Sequence, residues 1–108
     1  MSDEIFDYLI QFEETLEIEA TCTDFGTDDE PGGPITPDSH LIKLFKPDGT
    51  QSGIDATTPT LVGEEGSGVY TQRFPIPADG PDGIWTVKWV YDVSGEKKPA
   101  RFRVKVVA

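Results

Sequence analysis

The run I-W-T-V-K-W-V-Y-D-V at residues 84–93 decides the fold. It is rich in β-branched and aromatic residues and it alternates: Trp85, Val87, Trp89 and Tyr91 fall on one side, Ile84, Thr86, Lys88 and Val90 on the other. A period of two belongs to a strand, whose successive side chains leave opposite faces. The aromatic side carries the larger apolar area and is the expected core face, with Trp85 and Trp89 filling the space between two sheets. Ser94 to Pro99, containing Gly95, reads as a hairpin loop. Beyond it Phe102, Val104 and Val106 alternate against Arg101, Arg103 and Lys105, which predicts a closing strand from Ala100 to Val107.

The same period recurs upstream. Leu16, Ile18, Ala20 and Cys22 are separated by Glu17, Glu19 and Thr21, so a strand is expected with both glutamates in solvent. Before it, Ile5 to Ile10 reads as a short strand and Gln11 to Glu14 as a bend. The stretch D-F-G-T-D-D-E-P-G-G-P-I-T-P-D at 24–38 is too rich in Pro and Gly to hold a ladder and is expected to be a loop to about residue 39. His40 to Lys46 follows as a strand with Ile42 and Leu44 on one face. It is stopped by Pro47-Asp48-Gly49, a turn in which Pro presets φ and Gly accepts a positive one. Edge strands are expected around Ile54 and around Leu61-Val62, and a further strand over Val69 to Phe74. Short strands with turns every eight to twelve residues predict an all-β, immunoglobulin-like antiparallel sandwich of about seven strands.

With 108 residues the chain has the size of one domain, residues 1–13 being a possible N-terminal extension or edge strand. A lone cysteine, Cys22, cannot form a disulfide within the chain. The net charge of −11 is unevenly spread: residues 1–42 hold twelve acids and no Lys or Arg, whereas residues 43–108 hold nine cations against eight acids. An acidic protein repels phosphates, so nucleic acid and anionic membranes are not expected as ligands, while a basic protein patch is attracted. The opening M-S-D-E-I-F-D-Y-L-I-Q-F-E-E-T-L has no basic segment ahead of a long apolar run, so neither a signal peptide nor a spanning segment is expected.

No arrangement of residues calls for catalysis or a cofactor. Cys22 is expected to be a buried inert thiol and His40 a surface imidazole, with no context that activates either. Zinc needs several His or Cys ligands, and the chain has one of each. Calcium candidates are Asp24, Asp28, Asp29 and Glu30 in one loop, with Asp79 and Asp82 in another, since hard carboxylate oxygens suit that ion; solvated acidic loops are the competing explanation. Gly63, Gly66 and Gly68 resemble a phosphate loop, but no Lys follows and Glu64 and Glu65 repel phosphate, so turn glycines explain them better. Arg101, Arg103 and Lys105 with Lys97 and Lys98 form a basic strip. It is open to ion pairs with Glu17 and Glu19 or to another subunit's acids.

Five strings carry a family resemblance: E-T-L-E-I-E-A-T-C-T-D at 14–24, H-L-I-K-L-F-K-P-D-G-T at 40–50, G-S-G-V-Y-T-Q-R-F at 66–74, G-I-W-T-V-K-W at 83–89 and A-R-F-R-V-K-V at 100–106. In this layout the chain resembles the small immunoglobulin-like structural proteins of the head and tail genes of tailed bacteriophages and prophages. The resemblance implies a non-catalytic structural or accessory protein, in the virion or host cytoplasm, whose partners are other virion proteins or its own copies in a homo-oligomer. It also implies fold roles: Asp48 and Gly49 turn a hairpin, Gly68 and Tyr70 set a corner through the tyrosine hydroxyl, and Trp85 and Trp89 pack between sheets. Gln72 and Cys22 occupy positions where immunoglobulin domains often pair two cysteines, and no such bridge is possible here. The alternative is a bacterial or archaeal surface or adhesion-type sandwich module that binds calcium or carbohydrate.

Overall fold

The computed structural model describes residues 5–26, 29–30 and 32–108; Asp28 lies outside them. Eight strands and no helix occur among the described residues: β1 Tyr8–Gln11, β2 Thr15–Thr21, β3 Ser39–Phe45, β4 Gln51–Ala56, β5 Thr60–Leu61, β6 Val69–Pro75, β7 Gly83–Val93 and β8 Glu96–Val107. They form a five-stranded sheet in the order β1-β8-β7-β3-β4 and a three-stranded sheet in the order β2-β6-β5. The protein is all-β with two sheets, consistent with a sandwich. No helix among the described residues is long and apolar enough to cross a membrane.

The alternation read from the sequence becomes burial. Leu16, Ile18 and Ala20 of β2 are buried while Glu17 and Glu19 are exposed. From β7, Trp85, Val87 and Trp89 are fully buried and Tyr91 nearly so. These side chains join Ile42, Leu44, Phe74, Val104 and Val106 in one hydrophobic core. No described residue of this core is polar or charged, so the interior is held by apolar burial and packing.

The long hairpin differs from its expected form. Its turn is two residues, Ser94 and Gly95, both with positive φ (53° and 82°), and β8 begins at Glu96. Pro99 lies within the strand opposite Val90. In a two-residue hairpin the closing pair is hydrogen-bonded and bonded pairs alternate, so Pro99 falls on a non-bonded position where β7 loses nothing by its missing N–H. The expectation of purely antiparallel pairing also fails at β1, which lies parallel to β8 with Tyr8 opposite Val104 and Ile10 opposite Val106. Alternation marks a strand but carries no information on its direction.

The expected bend is present. Gln11 N donates to Glu14 Oε1 (2.9 Å), Glu13 adopts φ 69°, and Ile76 N donates to the Glu14 carbonyl (2.9 Å), which passes the chain from one sheet to the other. The Pro47-Asp48-Gly49 turn joins β3 to β4 as expected. Asp48 Oδ1 accepts from Thr50 N (2.9 Å) and Thr50 Oγ1 (2.6 Å), and Gly49 takes φ 89°. The hydrogen bonds from Thr50 favour the ionised form and lower the Asp48 pKa.

Candidate interaction face

The outer face of the five-stranded sheet concentrates cations. Parity directs Leu41, Lys43 and Phe45 of β3, Ile84, Thr86, Lys88 and Val90 of β7, and Arg101, Arg103 and Lys105 of β8 away from the core. The register aligns them: Lys43 faces Lys88, and Lys88 faces Arg101. Neighbouring strands are about 4.8 Å apart, so three cations stand in one row across three strands, with Asp55 of β4 opposite Lys43 at the end of the row. None of the three makes a salt bridge among the described residues, where the ion pairs are Arg73 with Glu17 and Lys97 with Asp92. Like charges directly opposite each other destabilise a sheet.

Apolar groups flank this row. Leu41 is 40% exposed, and an open depression of about 210 Å³ is lined by Leu41, Lys43, Phe45, Lys88 and Val90. A second, of about 290 Å³, runs from Phe45 and Pro47 to Ile84, Lys88 and Arg101. Leu9 of β1 adds an exposed side chain, and Lys105 Nζ lies 5.7 Å from the Phe6 ring centroid. Cations on alkyl stems beside exposed leucine and phenylalanine suit a protein surface as partner.

The basic strip read from the sequence needs three corrections. Its cross-strand neighbours include Lys88 of β7 and Leu9 of β1, with Lys43 one strand beyond Lys88, not Glu17 and Glu19, which belong to the other sheet; Glu17 pairs there with Arg73 at 3.0 Å. Lys98 departs from the strip altogether. It occupies a core-facing position, donates to the carbonyls of Thr23 (3.1 Å) and Asp24 (3.3 Å), and lies 4.9 Å from the Phe25 ring centroid. Lys97 is engaged with Asp92, whose pKa is lowered by hydrogen bonds from Lys97 and Ser39. Lys43 and Lys88 escaped the linear reading because the row depends on register, although the parity of β3 and β7 already put both outside.

His40 is not a surface imidazole. It is half-buried, its Nδ1 accepts from Trp89 Nε1 (3.2 Å), and its ring centroid lies 4.6 Å from that of Tyr70. Burial lowers its pKa. Cys22 is fully buried as expected, and desolvation raises its thiol to about 11, so it is protonated at neutral pH. Gln72 does not face Cys22 across the sheets; it lies opposite Ile18 within the same sheet.

The resemblance placed a corner-setting hydroxyl at Tyr70. The hydroxyl that reaches loop backbone belongs instead to Tyr91, which accepts from Thr23 N at 3.2 Å. Tyr70 is buried against His40. Gly68 does hold its corner: with φ 75° its carbonyl accepts from Cys22 N (2.7 Å), and a Cβ there would come within 2.6 Å of the Cys22 carbonyl oxygen.

Among the described residues the calcium candidates do not converge, and Asp28 lies outside them. Asp24 Oδ1 accepts from Phe25 N (2.8 Å), while Asp29 and Glu30 are exposed. Asp79 and Asp82 precede β7 and the other loop returns beside its end, where Asp38 N donates to the Asp92 carbonyl (2.9 Å). The two acidic loops thus lie at opposite ends of an eleven-residue strand. No group of three His, Cys, Asp or Glu side chains able to hold a metal occurs among the described residues.

Comparison with known proteins returns no matching family model, no matching curated protein and no matching solved structure.

Proposed function

We propose that this chain is a non-catalytic, immunoglobulin-like assembly protein, a structural or accessory component of a phage or prophage particle, that works through its cationic sheet face. The Lys43–Lys88–Arg101 row carries the reading. The like-charge pairings Lys43–Lys88 and Lys88–Arg101 cost the isolated sheet stability, offset at one end by Asp55 opposite Lys43, and the rest of the cost is relieved when an acidic surface covers them. The strand order supports the immunoglobulin-like assignment. With β2 to β8 in the places of strands B, C, C′, D, E, F and G, one sheet reads B-E-D and the other G-F-C-C′, with β1 beside G. The virion setting rests on the resemblance of the five strings quoted above.

Mass spectrometry of particles purified from the source tests the assignment. The chain is expected at a fixed ratio to the other particle proteins. A chain abundant in the cell but missing from intact particles would overturn it.

A further inference from the structure

We infer that the cationic sheet face binds the acidic end of a second copy of this chain, head to tail. The inference rests on the assembly reading and names its partner. The complementary surface is on the same molecule. Cys22 N donates to the Gly68 carbonyl (2.7 Å) and Ile35 N to the Cys22 carbonyl (3.1 Å), which brings the described residues of the loop after β2 and the 62–68 turn to one end of the sandwich. Asp29, Glu64 and Glu65 are exposed there. A twofold axis through the cationic face would set the Lys43–Lys88–Arg101 row against its own copy, so charge disfavours a symmetric face-to-face dimer. Each molecule instead offers one acceptor face and one donor end, a heterologous contact that repeats into a ring or a filament.

The net charge of −11 makes whole molecules repel at long range, and association depends on screening that repulsion while keeping the contact pairs. At 0.15 M salt the Debye length is about 8 Å, which satisfies both conditions.

Light scattering at that salt concentration reads the contact with three proteins: the full chain, a face variant carrying Lys88→Glu and Arg101→Glu, and an end variant carrying Glu64→Lys and Glu65→Lys. All substituted residues are surface-facing, and thermal melts check that each variant folds. The full chain is expected to gain mass with concentration beyond that of a dimer. Each variant alone is expected to remain a monomer, and their equimolar mixture to regain mass because the reversed charges again match. A full chain monomeric up to about 1 mM, a mass that stops at a dimer, or folded variants that associate like the full chain would each overturn the inference. A monomer that is nonetheless incorporated in particles removes only the self-contact and assigns the face to another acidic particle protein; absence from particles removes the assembly reading itself.

Discussion

Trp89 Nε1 donates to His40 Nδ1 across 3.2 Å, at the margin of the core. An accepting Nδ1 is unprotonated, so the bond requires neutral imidazole. Protonation would remove the acceptor and place a charge in a desolvated site.

A pH-dependent stability follows. Burial puts the folded pKa of His40 below the unfolded value of 6.5. Between those two values the unfolded chain binds more protons, so stability rises with pH there. Full stability is expected above 6.5, a decline as pH falls below it, and a levelling beneath the folded pKa. Urea unfolding at pH 5.5 and 7.5 measures the difference. His40→Gln, whose amide oxygen can accept from Trp89 without titrating, should flatten the His40 contribution over this interval.

Two turn glycines should respond differently to alanine. Both have positive φ, but Gly49 faces open space whereas a Cβ on Gly68 would meet the Cys22 carbonyl oxygen at 2.6 Å. Gly49→Ala is expected to cost about 1 kcal/mol, from φ alone. Gly68→Ala should cost about 2–3 kcal/mol, because the backbone contact between the Gly68 corner and the loop must open as well. Equal losses in denaturant melts would contradict the close approach.

Trp85 is fully buried and its indole N–H donates to the Pro81 carbonyl at 2.8 Å. Trp85→Ala is expected to cost about 3–5 kcal/mol through the cavity and the unpaired carbonyl. A loss below about 1 kcal/mol would place the indole outside the core.

The lysines separate by role. Lys88→Thr relieves the opposed row and introduces a residue with high strand propensity, so it should stabilise the isolated chain by about 0.2–1 kcal/mol. Lys98→Met removes the bonds to Thr23 and Asp24 and should destabilise it by about 1–2 kcal/mol. Thermal melts at matched salt compare them. Destabilisation by Lys88→Thr would mean that its charge is already satisfied within the chain.

Strand identity and facing were legible wherever alternation was uninterrupted. Leu16 to Cys22 and Ile84 to Val93 placed their buried and exposed residues correctly, and Pro47-Asp48-Gly49 marked its turn. The parallel pairing of β1, the same-sheet position of Gln72 and the Lys43–Lys88–Arg101 row were not legible, because each depends on which strands are neighbours and in what register. His40 misled for a related reason. A residue at a strand's start looks exposed until the tyrosine and tryptophan that close over it are supplied by β6 and β7.

Hydroxyl-radical footprinting of the full chain at dilute and concentrated conditions addresses the sheet face most directly. Leu41 and Phe45 are expected to lose reactivity as concentration rises, while Pro75, on the outer side of β6, keeps its own. Unchanged labelling of Leu41 and Phe45 in a sample whose mass has increased would contradict the assignment of that face as the contact surface.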